Sequence, residues 1–389
     1  MTRIDAPWLT SDGARAVMAA LSGGGQQAWF VGGCVRNALL GVPVSDIDIA
    51  TDARPDRVSA LAEAAGLRVV PTGIDHGTVT VIAGHQPYEV TTFRRDIETD
   101  GRRAVVAFAD SISEDAHRRD FTMNALYAAP DGTLSDPIGG LPDLRAGHVR
   151  FIDHPEDRIR EDYLRILRFF RFHAWYGDPA GGLDPDGLAA CAALHDGLAK
   201  VSAERCGQEM MKLLAAPDPA PAVAAMTAAG VLTALVPGAG AGLLTVLIHV
   251  EGVAGLSPDP IRRLAALGGQ EPERALRLSR AEAARLQQLR TSMQDETGPG
   301  ELGYRLGATM AQDVLVLRAA LGGREADRDD LQMAVDGALQ VFPLRAADLM
   351  PGLSGPELGV ALREAEARWI ASGFALGRDE LVSLAANRG

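Results

Sequence analysis

The sequence predicts an α+β protein: a head built on a small mixed β-sheet with helices, followed by an all-α remainder. Three observations carry this. Residues 26–130 alternate short β-rich runs with helical stretches. From about residue 155 onward the apolar spacing becomes helical and strand-like runs grow scarce. The chain has 389 residues, too many for one ordinary core, which predicts roughly two to four domains.

The predicted strands are AWFVGG, DIDIAT, LRVVPT, TVTVIA and YEVTTF, and the helical spacing is plainest in EDYLRILRFFRFHAW and CGQEMMKLLAA. Joints rich in Gly and Pro at Gly177–Pro185, Pro217–Pro221, Pro237–Gly242 and Glu296–Gly300 mark helix boundaries or linkers. Borders near 150, 225 and 300 divide the chain into residues 1–150, a head carrying the chemistry, 151–225, 226–300 and 301–389.

The composition, 47% apolar and 23% charged, is that of a globular protein that folds. No stretch approaches the ~20 unbroken apolar residues of a membrane span, and MTRIDAPWLTSDG has no apolar core of a signal peptide, so a cytoplasmic, membrane-free protein is expected. The three cysteines form no CxxC pair and the eight histidines no HxxxH, so neither a disulfide framework nor a thiolate or histidine metal site is indicated. The net charge of −13 argues at face value against a nucleic-acid binder, whose phosphate contacts call for a basic face. Net charge sums the whole surface, however, and a cleft lined by arginine can be positive on an acidic molecule.

The most informative stretch is FVGGCVRNALLGVPVSDIDIAT, Phe30–Thr51. A strand runs into Gly32-Gly33, then a helix with Arg36, then a strand with Asp46 and Asp48. Side chains two apart on a strand share a face, so the two carboxylates project side by side while Ile47 and Ile49 turn away. Two hard anions so placed suit Mg²⁺, and can hold two ions ~4 Å apart, one activating a 3′-hydroxyl and the other neutralising a triphosphate and its leaving pyrophosphate. The glycine pair lets backbone approach phosphates without a Cβ in the way, and Arg36 can reach their oxygens. Alone, GG or DxD would read as a turn and a surface pair; together with Arg36 at this spacing they indicate a site.

Glu89, in YEVTTFR, is either a third carboxylate beside that pair or a strand residue facing solvent or pairing with Arg94. In HRRDFTMNAL, His117–Leu126, a loop enters a helix that Asp120 or Thr122 can cap. Adjacent arginines call for a balancing anion or carboxylates, which points to phosphate binding by Arg119, with Arg118 as its companion. In EDYLRILRFFRF, Asp162, Arg165, Arg168 and Arg171 recur every three residues. That is the pattern of an amphipathic helix with a basic solvated side, or of a face that reads a base edge, Arg donating in a fork and Asp accepting from an exocyclic amine.

These motifs in this order, GGxVRNxLLG…DIDIAT, RRDFTMNAL and EDxxRxxRxxRF, closely resemble the class II tRNA nucleotidyltransferase and bacterial poly(A) polymerase family over residues 28–235. The resemblance implies a nucleotidyltransferase head, neck, body and tail, with the tRNA along the helical body and tail. It implies that Asp46 and Asp48 bind the metals, that Gly33 and Arg36 bind the incoming nucleotide with Arg119, and that Asp162, Arg165, Arg168 and Arg171 recognise its base. Substrates would be the tRNA 3′ end with CTP and ATP, selected by side chains without a template; no stable protein partner is implied. DPIGGLPDLRAG (Asp136–Gly147) resembles the passage into the neck and SAERCGQEMMKLL (Ser202–Leu214) a neck helix, both structural, and PLRAADLMPGLSGPELGVALREAEARWI more loosely resembles the tail. One departure is Asn37, where the family usually has Asp: an amide still hydrogen-bonds but cannot balance Arg36.

Poly(A) polymerases usually carry a basic GRRFR-like element where this chain reads RVVPTGIDHGTVTVIAGHQPYEVTTFRRD, which favours tRNA. Arg94–His117 resembles the flexible loop of complete CCA-adding enzymes, which favours full CCA addition over partial CC or A addition. The rivals are a catalytically silent RNA-binding relative and an unrelated metal-dependent phosphohydrolase, for which the single HD pair, His195-Asp196, offers little.

Overall fold

The computed structural model describes residues 2–386 apart from 72, 75, 76, 101, 102 and 351. The chain forms two compact units, Met1–Gly238 with Ala275–Arg277, and Ala239–Arg274 with Leu278–Gly389. Compactness thus groups the expected head and neck into one body, and the borders expected near 150 and 300 fall inside units.

The first unit holds a seven-stranded sheet in the order β3-β4-β5-β2-β1-β8-β9. Its strands are β1 (Ala28–Val31), β2 (Ile47–Thr51), β3 (Arg68–Val70), β4 (Thr78–Ala83), β5 (Gln86–Thr92), β8 (Tyr127–Ala128) and β9 (Leu134–Ser135); β6 (Arg94–Asp100) and β7 (Arg103–Phe108) form a separate hairpin. All pairings are antiparallel except β2 with β5. Each of the five runs expected from period and composition holds a strand, with Thr72 of the LRVVPT run outside the described residues. The sheet is mixed because β5 returns beside β2 in the same direction, which sets Asp48 opposite Glu89. Ile47 and Ile49 are buried and hold that register, since a slip by one residue would turn them to solvent. The strands missed were β8 and β9, too short to show a period, and the β6–β7 hairpin. That hairpin and α4 (below) are what Arg94–His117 forms where described; residues 101 and 102 lie outside the described residues.

The helices of this unit that frame the site are α1 (Asp12–Gly23), α2 (Gly33–Leu40), α3 (Pro55–Ala64), α4 (Ile112–His117), α5 (Gly140–Arg145), α6 (Pro155–Glu161), α7 (Leu164–Tyr176), α8 (Pro185–Leu194) and α9 (Ala203–Leu214). α7 buries Leu164, Ile166, Leu167, Phe169, Phe170 and Phe172. Phe121 lies 5.0 Å from Phe172 and 4.9 Å from Phe151, and Phe151 stacks 5.4 Å from Phe169, so an aromatic cluster fastens the RRDFTMNAL motif onto α7. Ser202 accepts the N–H of Arg205 and caps α9, as Ser and Thr do at helix starts.

Among the described residues, the named elements of the second unit are all helices. Its helices Pro299–Leu306 and Arg328–Ala338 cross where glycines face backbone: a Cβ on Gly303 would sit 1.9 Å from the Ala334 carbonyl oxygen, and one on Gly337 would sit 2.1 Å from that of Gly300. Gly303→Ala is therefore expected to force the helices apart and cost about 1–3 kcal/mol of stability, read as a lowered midpoint in chemical denaturation. Beneath, Arg262 bonds Glu251 at 2.8 Å and Asp313 at 2.6 Å, Arg263 bonds Glu251, and Arg285 bonds Asp313 and Asp259, so that buried cations and carboxylates cancel. Among the described residues no helix is long and apolar enough to cross a membrane.

Candidate nucleotidyl-transfer site

The carboxylates come first. Asp48 lies on β2 and is half-buried, Asp46 is exposed in the extended residue run just before the strand, where Ser45 Oγ donates to it at 2.9 Å, and Glu89 is exposed on β5. Burial, then the nearby Glu89, push the Asp48 carboxyl up to about 6; Asp46 pushes the same way, and Arg119 and Arg36 oppose them. Of Glu89's two readings, the structure brings it to Asp48. Among the described residues no three His, Cys, Asp or Glu side chains gather as metal ligands. What suits a cation is the acidic pair, two oxygen-donor carboxylates whose mutual repulsion a divalent ion would relieve, with coordination left for substrate oxygens.

This shift has a sign that can be measured. A carboxyl raised in the folded state above its ordinary 3.8 favours folding below that value, and its contribution is lost as pH rises through about 6. Protein stripped of divalent ions should therefore gain from this group between pH 7 and pH 5, and Asp48→Asn should flatten that part of the curve in denaturant titrations. A divalent ion needs the ionised form, so its affinity should fall across the same window.

Beside the carboxylates, Gly32 starts α2 with φ of +71°, a conformation suited to glycine. The N–H groups of the first turn of α2 have no intrahelical acceptor, as at any helix start, and such a start can bind an anion. A Cβ on Gly32 would lie 3.5 Å from Arg119 Nη1, and one on Gly33 3.8 Å from Arg36 Nη2, so the bare glycine backbone faces both guanidinium groups.

Arg36 is held hard. It donates to Asn37 Oδ1 from Nε and Nη2, to Asn124 Oδ1 at 2.5 Å and to the Tyr176 hydroxyl at 2.9 Å, with its guanidinium 4.1 Å from the Tyr176 ring centroid. Those four bonds leave one of its five N–H groups for a ligand. The departure at Asn37 thus keeps its hydrogen-bonding part: the amide oxygen accepts both donors. Burial lowers the pKa of Arg36, against the pull of Tyr176 and Asp120.

The adjacent arginines find their balance inside the protein. Asp115, fully buried on α4, takes Arg118 Nε at 2.9 Å, Arg119 Nη2 at 2.8 Å and the Tyr127 hydroxyl at 2.8 Å. Burial would raise its pKa, but Arg119, Arg118 and Tyr127 hold it far below the carboxylate range. Of the anion or carboxylates that adjacent arginines call for, Asp115 supplies a carboxylate; Arg119 still turns Nη1 to Gly32. Asp120 is also no helix cap: Thr122–Asn124 is a single 3₁₀ turn without a side-chain cap. Asp120 instead accepts Phe121 N, Asn124 Nδ2 and both Arg168 Nε, at 2.7 Å, and Arg168 Nη2.

The spacing Asp162, Arg165, Arg168, Arg171 does not lie on one helix. Asp162 sits in the break between α6 and α7 with φ −150°, because its Oδ1 accepts the Leu164 N–H at 3.1 Å and opens the next helix. The three arginines are on α7, each with a carboxylate: Arg165 with Glu161 at 2.5 Å, Arg168 with Asp120, Arg171 with Glu209 at 2.5 Å. The row is therefore a neutralised lattice, not a single-sign stripe. Arg165 also donates to the Arg118 carbonyl at 3.0 Å, joining it to the RRDFTMNAL motif. Sequence reasoning missed Asn124, Tyr176, Tyr127, Asp115 and Glu209, which position the others. Only Asp115 had a legible signal, its spacing of three and four from Arg118 and Arg119. His195 Nδ1 lies 2.8 Å from the Ala192 carbonyl oxygen, which engages the ring of the HD pair.

With this geometry in place, comparisons with known proteins are informative. Residues 28–150 match the family described as the poly A polymerase head domain, and residues 182–243 the one described as a probable RNA and SrmB-binding site of polymerase A. The chain is 32% identical over 370 residues to the mitochondrial CCA tRNA nucleotidyltransferase 1 of Mus musculus, covering 91% of this chain and 85% of that protein. To the Homo sapiens protein of the same name it is 44% identical over 186 residues, 48% of this chain and 43% of that one. The fold resembles the crystal structure of the Bacillus stearothermophilus CCA-adding enzyme in complex with CTP, with a TM-score of 0.73, 29% identity, and 97% and 96% of the two chains covered.

Proposed function

The chain belongs to the CCA tRNA nucleotidyltransferase family, and we propose that it adds CCA to the 3′ end of tRNA from CTP and ATP by a two-metal reaction at Asp46 and Asp48. One observation carries the reading: β2 and β5 run parallel in a register that sets Asp48 beside Glu89, next to Asp46 and facing Arg119, a carboxylate cluster abutting a phosphate cradle. The 3′ oxygen of the tRNA bonds to the α-phosphorus of the nucleotide, the bond from that phosphorus to the β-phosphate oxygen breaks, pyrophosphate leaves, and the hydroxyl proton passes to solvent.

Asp46 and Asp48 would hold Mg²⁺, which when bound supplies Lewis acidity at the hydroxyl and charge neutralisation at the triphosphate. The start of α2, Arg119 Nη1 and the free N–H of Arg36 bind the phosphates and orient them without proton transfer. Glu89 adds to the negative field that draws the ion in. Asp162 accepts from the exocyclic amine of cytosine or adenine while Arg165, Arg168 and Arg171 hold the base edge. The division into head 1–150, neck 151–225, body 226–300 and tail 301–389 belongs to this reading, the last two lying along the tRNA. The three buried free thiols suit a reducing compartment, and we place the protein in the cytoplasm on that ground.

Pyrophosphate release from CTP should require both Mg²⁺ and a tRNA lacking its CCA end. Release from CTP without tRNA, or release with tRNA at full rate in chelator, would refute this chemistry.

A further inference from the structure

The neck helix α9 carries two residues that reach the base-reading row, four positions apart and so on one helix face. Glu209, 5% exposed, accepts from Arg171 at 2.5 Å. Arg205 donates Nη2 to Asp162 Oδ2 at 2.6 Å. The Asp162 carboxylate thus has both oxygens engaged, Oδ1 by the Leu164 N–H and Oδ2 by Arg205, while the side chain stays 35% exposed and open to a ligand.

We propose that Arg205 is a positioning residue that determines nucleotide specificity by fixing the orientation of Asp162. The inference rests on the base-reading role of Asp162 given above. Accepting from an amine and rejecting a carbonyl is a matter of where the carboxylate lone pairs point, and a carboxylate held at one oxygen by a backbone N–H and at the other by a guanidinium cannot rotate. Without Arg205 the carboxylate turns about its Cβ–Cγ bond, and a cation lies within its field: Arg168 feels Asp162 as well as its own partner Asp120 and nearby Glu209. A freed Asp162 would be drawn toward Arg168 and disturb the pairing that sets the row. Uracil and guanine, which offer a carbonyl where cytosine and adenine offer an amine, then meet a carboxylate no longer aimed to repel them. Arg205 acts through its contact with Asp162, so its loss acts on choice of nucleotide more than on transfer.

The test is single-nucleotide incorporation onto tRNA transcripts with each of CTP, ATP, UTP and GTP, reading kcat and KM separately. Arg205→Ala should raise KM for CTP and ATP and reduce discrimination against UTP and GTP by about tenfold, with Arg205→Lys recovering most of it because the contact is a single charged hydrogen bond. Should Arg205→Ala fail to fold, Arg205→Gln carries the same comparison. If discrimination stays at the wild-type value while only the melting temperature falls, Arg205 is a structural neck residue and the inference fails. Asp162→Asn separates the two levels: if it abolishes discrimination while Arg205→Ala does not, only the role of Arg205 is overturned. If Asp162→Asn itself leaves discrimination intact, the base-reading premise falls and this inference with it.

Discussion

Asp48→Ala, and likewise Asp46→Ala, lowers turnover by several orders of magnitude while the protein stays folded. The activity loss follows from removing half of a two-carboxylate cation site: the hydroxyl then loses the Lewis acid that would activate it, which Arg36 and Arg119, facing the phosphates, cannot replace. Folding is spared for a separate reason. Asp48 is ionised at neutral pH against burial and against Glu89, so the folded state gains nothing from its charge without a metal, and Ile47 and Ile49 keep the strand in register. Circular dichroism and thermal melting should match the wild type or show a slight gain, and the deficit should lie in kcat. A variant that lost activity only in proportion to unfolded material would show that Asp48 is structural.

Asp115→Ala has the largest expected effect on stability. It leaves Arg118 and Arg119 with no buried carboxylate and the Tyr127 hydroxyl proton without its acceptor, and breaking such a cluster by removing its anion costs about 3–5 kcal/mol. Asp115→Asn, which keeps an acceptor and loses the charge, should fall between. Because the Asp115 pKa is lowered on folding, its stabilisation is present above its unfolded value near 3.8 and is lost only as pH falls below that. The gap between wild type and Asp115→Asn in denaturant titrations should therefore be constant from pH 5 to pH 8. A gap that closed by pH 5 would place the stabilisation elsewhere. Since Arg119 is anchored by this carboxylate, the same variant should weaken nucleotide binding in whatever fraction remains folded.

Much of this was legible in the sequence because it was written in local spacing. The alternation around Ile47 and Ile49, the glycine pair before Arg36 and the helical period of α7 each depend on residues a few positions apart, and strand and helix geometry turn such spacings into faces. The partners of Arg168 and Arg171 were not legible, because they come from across the fold: Glu209 is 38 residues from Arg171 and Asp120 is 48 from Arg168. A row that reads as three unpaired cations along the chain is consequently a neutral lattice in three dimensions. The break at Asp162 was hidden for a related reason: a side chain that accepts a backbone N–H two residues on can end one helix and begin another without glycine or proline to announce it.

The same pairing shows how a chain of net charge −13 holds its arginines at the site. All but two of the basic residues, Lys200 and Lys212, are arginines, which stay charged when buried and bond carboxylates and phosphates in a planar fork. At this site Arg119, Arg165, Arg168 and Arg171 are held by carboxylates, with donors such as Arg119 Nη1 left facing the glycine turn.

CCA addition is checked by incubating the purified protein and Mg²⁺ with tRNA transcripts ending before CCA, after C or after CC, offering CTP, ATP or both, and resolving products at single nucleotides. Ordered addition of C, C and A is expected, each transcript extended only to the completed CCA end. Long A tracts on any RNA, a stop after CC with both nucleotides present, or no extension of any transcript would contradict it.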